Sequence, residues 1–120
     1  SWSGMKVVSN ISMEFTEALD REIATCLYRI AQEALMNVKK HASAREVTIS
    51  LARLDNWVQL TVKDDGKGFS PETESRRTKG LGIVGMEERI HMVEGELAVQ
   101  SGKGRGAVVT ARAPFREREA

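Results

Sequence analysis

The stretch VTISLARLDNWVQLTVKDDGKG, residues 47–68, contains the alternation that decides the fold. Apolar residues alternate with small polar ones in its first part, and the alternation resumes after the turn-like pair Asp55–Asn56. The stretch therefore predicts two strands joined as a hairpin. Because residues two apart share one face of a strand, Asp64 falls on the face of Leu60 and Val62, which the pattern predicts to be buried.

The position of Asp64 is informative because burying an unpaired carboxylate costs several kcal/mol. Such a residue persists where another group donates a hydrogen bond to it. The alternative is that the strand has already ended and that Asp64 opens a turn with Asp65 and Gly66, since Asp before Gly is a common turn signal. The strand pattern alone leaves both interpretations open.

Two amphipathic helices flank the hairpin. After Asp20, apolar residues recur at three- and four-residue spacing until the neighbourhood of His41, which predicts the longest helix of the chain. A second helix is predicted from Ile83 to Val93, and Gly95 stands where a left-handed helix stop is expected.

Shorter strands complete the predicted sheet. They are expected within Met5–Phe15, around Leu97 and Val99, and at Ala107–Pro114, and the charged tail 116–120 is expected to be frayed. Together with the hairpin, these strands predict a mixed, mostly antiparallel sheet of about five strands. Two to three helices would cover one face of it, which makes a two-layer α/β sandwich of the α+β class.

The composition limits the classes of function. With 120 residues, of which 41% are hydrophobic, residues 1–120 are predicted to form a single domain with one core. The 18 basic and 17 acidic residues nearly cancel, so nucleic acid is not expected as a partner. The single cysteine, Cys26, excludes a disulfide framework and a multi-cysteine metal site. No apolar run approaches the roughly 20 residues of a membrane span, so we expect no membrane contact by this domain.

A polar stripe borders the apolar face of the long helix. Glu33, Asn37 and Lys40 are separated by four and three residues, so they share one stripe of an α-helix. A carboxylate and a carboxamide offer oxygen ligands for a divalent cation, and an ammonium group offers a charge for phosphate. The alternative is a solvated helix face with a weak ion pair. His41 closes the helix, where it interacts favourably with the helix dipole.

Glycines cluster at three predicted turns. The three groups are Gly66 and Gly68; Gly80, Gly82 and Gly85; and Gly102, Gly104 and Gly106. Glycines let a backbone approach a ligand closely, and a glycine turn at a helix N-terminus directs free N–H groups at an anion such as phosphate. Residues 80–85 match G-x-G-x-x-G, but a charged loop precedes them instead of a strand, so a dinucleotide-binding fold is not indicated. A Walker A loop and the protein kinase motifs are absent from the sequence.

Four segments in this order resemble the sequence boxes of histidine kinases. They are similar to the asparagine box at 28–42 and to three glycine boxes at 64–69, 79–86 and 102–107. The asparagine box has the form found in sensors that pair with nitrate-regulator-type transcription factors. From about Asp20 to Phe115, the chain therefore resembles the ATP-binding catalytic domain of a two-component sensor kinase, within the wider GHKL superfamily. One departure is Ala107, where the family usually has Thr.

The resemblance implies roles for individual residues. It implies that Asp64 accepts a hydrogen bond from the adenine amino group, and that Asn37 binds the Mg²⁺ that bridges the phosphates of ATP. Glu33 would help to position the metal or a water, and Lys40 and His41 would face the phosphates.

The resemblance also implies a set of backbone contacts and a lid. Further positions expected to contact ATP are Gly66, Gly68, Lys79, Gly80, Leu81, Gly82, Gly104 and Ala107. The loop at about 70–80 would cover the nucleotide. Which of Arg76, Arg77 and Lys79 contacts phosphate stays open.

In such kinases the γ-phosphoryl group passes to a histidine of a separate dimerisation domain and then to a response regulator. We expect the isolated chain not to phosphorylate itself, because neither His41 nor His91 has the setting of a phosphoacceptor. The resemblance further implies a cytoplasmic location, a homodimeric parent protein and a monomeric isolated domain.

Three other functions stay open. The chain could be a GHKL-type ATPase in which Glu33 acts as a general base that activates water. It could instead be an anti-sigma serine kinase, or a nucleotide-sensing module without phosphotransfer.

Overall fold

The computed structural model describes residues 4–67, 82–102 and 104–119, without the side chains of residues 13, 14, 41 and 42. Within this part of the chain, five strands form one sheet: β1 Lys6–Ile11, β2 Glu46–Leu54, β3 Trp57–Asp64, β4 Glu96–Ser101 and β5 Ala107–Pro114. The strand order is β1-β2-β3-β5-β4, with β1 parallel to β2 and the other pairs antiparallel. The predicted mixed, mostly antiparallel sheet is confirmed.

Three α-helices accompany the sheet in the described residues: α1 Met13–Ala18, α2 Arg21–Asn37 and α3 Ile83–Met92. Asp20 begins α2, because its carboxylate accepts a hydrogen bond from the N–H of Ile23 over 3.1 Å. α2 continues directly into a π-helical turn, Val38–Ala42. Both predicted helices are confirmed, whereas the sequence pattern missed α1, so the first strand ends at Ile11 instead of continuing to Phe15.

The core lies between the two longer helices and one face of the sheet. The buried sheet residues alternate along β2, β3 and β5, and the buried helix residues recur at helical spacing, as the sequence pattern predicted. The largest fully buried side chains are Leu19, Ile23, Ile30, Val47, Val58, Met86 and Ile90. The free thiol of Cys26 is also buried there, and it donates a hydrogen bond to the carbonyl oxygen of Arg89 over 3.3 Å, which ties α2 to α3.

The end of α3 differs from the prediction by one residue. The left-handed residue is Glu94, with φ 61°, and not Gly95. Gly95 is needed for a different reason: a Cβ there would overlap the carbonyl oxygen of Arg112 and lie 2.7 Å from Cγ1 of Ile90. The glycine therefore permits close packing of the chain on β5 instead of a special backbone angle.

Two residues of the tail that the sequence suggested to be frayed, Arg116 and Arg118, make backbone hydrogen bonds. The N–H of Asp20 donates to the carbonyl oxygen of Arg116 over 2.8 Å, and the N–H of Arg118 donates to that of Ala18 over 2.7 Å. These bonds place residues 115–118 against the junction of α1 and α2. Side chains add to these bonds, because the guanidinium of Arg116 pairs with Glu94 and Nε of Arg118 donates to the carbonyl oxygen of Leu19 over 3.3 Å.

Candidate nucleotide site

Asp64 is the last residue of β3, and it lies on the buried face. It is in phase with Val58, Leu60 and Val62, and only 6% of its surface is exposed. Its Oδ1 also accepts a hydrogen bond from the N–H of Gly66 over 2.7 Å. Both interpretations of the sequence are therefore partly correct, because the residue belongs to the buried face and also opens the turn after the strand.

The surroundings of Asp64 act on its carboxyl group in opposite directions. Burial raises its pKa above the ordinary value, whereas hydrogen bonds from the backbone N–H groups of Gly66 and Ala107 lower it, and the negative charge of Asp65 raises it. The net direction is upward. Because β3 pairs with β5 up to Asp64 and Ala107, the sheet itself brings these residues together.

The third glycine cluster packs against this turn. Gly106 is buried with φ +76°, and a Cβ there would overlap the backbone carbonyl oxygen of Asp64. The N–H of Gly104 donates a hydrogen bond to the carbonyl oxygen of Lys67. Gly66, Gly104 and Gly106 therefore belong to one structural unit around Asp64.

The polar stripe of α2 faces the start of α3. Gly82 precedes α3 with φ +68°, and a Cβ there would overlap the carboxylate of Glu33, with 2.9 Å to its Cδ. Glu33 and Gly82, which the sequence predicted as site residues, are thus in direct proximity. Asn37 lies one helical turn beyond Glu33 and is half-buried.

The π-helical turn changes the predicted stripe. A π-helix bonds residue i to residue i+5, so it takes roughly one more residue per turn than an α-helix. The position one turn beyond Asn37 is therefore close to 41 instead of 40, although the prediction placed Lys40 there. Lys40 is exposed in the structure. Sequence periodicity could not show this shift, because it assumed a uniform α-helix.

A cleft of about 260 Å³ separates α2 from α3 next to the contact between Glu33 and Gly82. It is lined by Arg29, Gln32, Glu33, Gly82, Gly85, Met86 and Arg89. Across the ranges 4–67, 82–102 and 104–119, no group of three or more His, Cys, Asp or Glu residues could hold a metal by itself.

Several predicted contacts lie outside the described residues. These are Gly68, Lys79, Gly80 and Leu81, together with the lid loop at about 70–80 and its Arg76 and Arg77. The backbone of His41 belongs to the π-helical turn, but its side chain lies outside the description as well. The structure therefore brings together Asp64, Gly66, Gly104 and Ala107 on one side, and Glu33 with Gly82 on the other.

Asp65 makes contacts that the sequence pattern does not indicate. Its Oδ1 accepts hydrogen bonds from the backbone N–H groups of Arg45, over 2.8 Å, and Glu46, over 3.0 Å. These bonds, first that of Glu46 and then that of Arg45, lower the pKa of its carboxyl group below the ordinary value. Nothing in the local sequence signals this contact, because the partners are 19 and 20 residues away.

The chain is similar to several known proteins. Residues 22–117 match the family described as histidine kinase-, DNA gyrase B- and HSP90-like ATPase. The signal transduction histidine-protein kinase/phosphatase DegS of Bacillus subtilis (strain 168) is 33% identical over 100 residues, which are 82% of this chain and 26% of DegS. The sensor histidine kinase ComP of the same strain is 37% identical over 92 residues, which are 77% of this chain and 12% of ComP. The chain thus spans a minor part of the length of these relatives.

Solved structures have the same fold. The blue-light activated histidine kinase of Erythrobacter litoralis EL346 has a TM-score of 0.79 at 22% identity, over 94% of this chain and 36% of that chain. The mycobacterial sensor histidine kinase MprB has a TM-score of 0.70 at 17% identity, over 96% of this chain and 85% of that chain. At such identities, the likeness establishes the fold alone. Among the described residues, no helix has both the length and the apolar content that a membrane crossing requires.

Proposed function

We propose that this chain, which belongs to the family of histidine kinase-, DNA gyrase B- and HSP90-like ATPases, binds Mg-ATP at the Asp64 end of its sheet. ATP binding follows from the family. The residues that bind it, the metal and the phosphoryl transfer are the proposal.

The observation that carries the proposal is the buried carboxylate of Asp64. A carboxylate has about four acceptor positions, and the N–H groups of Gly66 and Ala107 use two of them. It can therefore accept a further hydrogen bond from the amino group of adenine. Gly106 lets its own segment pack on the backbone of Asp64, and Gly66, which has no side chain, would let a flat base approach the turn.

The phosphates would lie between the end of α2 and the start of α3. The left-handed Gly82 precedes α3, whose first N–H groups and dipole favour an anion. Lys40 and His41 belong to the π-helical turn at the end of α2 and would add positive charge. Gly68, Lys79, Gly80 and Leu81 are proposed as further contacts from the sequence resemblance.

The donor set fits Mg²⁺. The carboxamide of Asn37 and the carboxylate of Glu33 offer hard oxygen ligands one helical turn apart, and Mg²⁺ is commonly held by one or two protein oxygens plus phosphates and water. When bound, the ion would neutralise charge on the phosphates. The chain's own task is to orient the nucleotide and to exclude water from the γ-phosphate.

We further propose that the chain is the catalytic domain of a sensor histidine kinase. The relatives DegS and ComP carry this activity in their names. The imidazole nitrogen of a histidine on a separate dimerisation domain would attack the γ-phosphorus, and the bond to the bridging oxygen would break to release ADP. The phosphoryl group would then pass to a response regulator. A homodimeric parent and a cytoplasmic location belong to the same proposal.

A calorimetric titration of Mg-ATP tests the binding site. We expect the wild-type chain to bind, and Asp64→Asn to bind about 30-fold more weakly, since the amide turns one acceptor position into a donor facing the adenine amino group. Glu17→Ala, at an exposed carboxylate on α1, is the control and should bind as the wild type does. Equal affinity of wild type and Asp64→Asn would refute the proposed adenine contact.

A GHKL-type ATPase is the second candidate, because the carboxylate of Glu33 lies at the start of α3 where the phosphates would bind. In that case Glu33 would activate a water. Steady ATP hydrolysis by the isolated chain, lost in Glu33→Gln with ATP still bound, would favour it. Phosphoryl transfer to a supplied dimerisation domain, without hydrolysis by the isolated chain, would favour the kinase.

A further inference from the structure

Asp65 connects two segments that are far apart in the sequence. Its N–H donates to the carbonyl oxygen of Glu46 over 3.2 Å, and its Oδ1 accepts from the N–H groups of Arg45 and Glu46. Three hydrogen bonds thus join one residue to a single backbone site 19 to 20 residues away. Asp65 is exposed, so water could satisfy its carboxylate. The three hydrogen bonds to Arg45–Glu46 therefore go beyond what an aspartate in a solvated turn needs.

The backbone at Arg45–Glu46 is in turn tied to the end of α2. Only Ser43 and Ala44 separate it from the π-helical turn Val38–Ala42, and Ser43 is held in the left-handed region with φ 51°. Ala44 packs against the core. Such a short and fixed connection transmits the position of Arg45–Glu46 to the turn that contains Lys40 and His41.

The other neighbour of Asp65 is Asp64, directly before it in the chain. On its far side, Asp64 is held by β5 through Ala107 and Gly106. The start of the turn 64–67 is therefore fixed on two sides, by β5 on one and by β2 on the other, where Asp64 pairs with Val47 and Asp65 is bonded to Arg45–Glu46. The contact between Asp65 and Arg45–Glu46 links this turn to the π-helical turn Val38–Ala42, which faces the phosphates in the proposed complex.

We propose that Asp65 is a positioning residue that sets the spacing between the adenine contact at Asp64 and the phosphate-facing turn at the end of α2. The inference rests on the proposed function. Asp65 touches neither base nor phosphate. It acts through Oδ1, which keeps both ends of the site at the separation that one ATP molecule needs to contact them together.

The test compares ATP with adenosine, which lacks the phosphates. In calorimetric titrations, we expect Asp65→Ala to bind Mg-ATP about tenfold more weakly and adenosine at most about twofold more weakly, because only ATP needs the fixed spacing. Asp65→Asn should bind both as the wild type does. Its carbonyl oxygen can occupy the place of Oδ1, which accepts both bonds in the structure.

Glu46→Ala is the matched control, because it removes one negative charge at the same junction but keeps both backbone N–H groups. It should bind ATP as the wild type does. Unchanged ATP affinity in Asp65→Ala, equal weakening of ATP and adenosine, or failure of Asp65→Asn to restore affinity would each overturn the positioning role. If the wild type itself bound no ATP, the proposed function would fail instead.

Amide hydrogen exchange keeps the inference testable if Asp65→Ala does not fold. In the wild type, we expect Mg-ATP to slow exchange at the N–H groups of Arg45 and Glu46 more strongly than adenosine does. ATP would contact both Asp64 and the turn at the end of α2, whereas adenosine would contact only Asp64. Equal protection by the two ligands would contradict the inference.

Discussion

In the middle of β3, Val58, Leu60 and Val62 are buried against the helices, whereas at its end the same face carries Asp64. The middle is stabilised by apolar burial, which needs no specific partner. The end depends on individual backbone N–H groups and on glycines that leave space. One strand therefore serves two purposes. Its middle stabilises the fold, whereas the buried carboxylate at its end reduces the stability of the fold and offers a polar contact.

The largest expected effect is in the core that covers the middle of β3. Ile30 on α2 is fully buried, so Ile30→Ala should lower the free energy of unfolding by about 2–5 kcal/mol. At a temperature where the variant is folded, its affinity for ATP should equal that of the wild type. Urea unfolding and calorimetry measure the two quantities. A loss of affinity together with stability would show that the middle and the end of the sheet are not separable.

Gly82→Ala should have the next largest effect. An alanine with positive φ costs about 1–2 kcal/mol, and its Cβ would also overlap the Glu33 carboxylate. Urea unfolding of Gly82→Ala, Glu33→Ala and the double variant separates the two causes. Because Glu33 is exposed and its carboxylate can move aside, we expect the two single effects to add. A double variant that is more stable than the sum would mean that the overlap itself is costly.

Asp64→Asn should stabilise the chain in the absence of ATP at neutral pH, by an amount on the order of 1 kcal/mol. Because burial raises the folded pKa of Asp64 above the unfolded value of 3.8, its contribution to stability is full below that value and is lost as pH rises through the folded pKa. The advantage of the variant should therefore shrink as pH falls from about 7 towards 4. Urea midpoints across this range measure it, and a constant advantage would contradict the raised pKa.

Gly85→Ala should have the smallest effect, and its sign should be opposite to that of Gly82→Ala. Gly85 lies inside α3, and a Cβ there would meet no atom within 4 Å. Alanine should therefore raise the free energy of unfolding by about 0.5–1 kcal/mol through the helix alone. Gly82 and Gly85 belong to the same glycine motif. If the two substitutions shift the urea midpoint in opposite directions, the fold requires a glycine at position 82 and not at position 85. A destabilised Gly85→Ala would contradict this assignment.

The sequence was sufficient where one periodic pattern extended along a whole element. The alternation along β2 and β3 predicted the hairpin and put Asp64 in phase with its buried face, although it left a turn at Asp64 open, and helical spacing predicted α2 and α3. Periodicity was insufficient where a local backbone change or a distant backbone partner decides the structure. The π-helical turn after Asn37 shifts the phase by about one residue.

Contacts with distant backbone groups were also inaccessible to the sequence. The bonds of Asp65 to Arg45 and Glu46, and those of Arg116 and Arg118 to the α1–α2 junction, form only once the sheet has assembled. Gly95 shows the same limit, since its requirement comes from the carbonyl oxygen of Arg112 on another strand. Side-chain composition has no information about such partners.

The parallel pairing of β1 with β2 has a consequence for the order of folding. Lys6 pairs with Glu46, so roughly 40 residues, including all of α2, must form a closed loop before this ladder can grow. The hairpin β2–β3 closes with the two-residue turn Asp55–Asn56, and therefore at a much lower entropic cost. The hairpin is thus expected to be structured in the folding transition state, and β1 to dock on it late, which substitutions at Val47 and Val7 would report as high and low φ-values respectively.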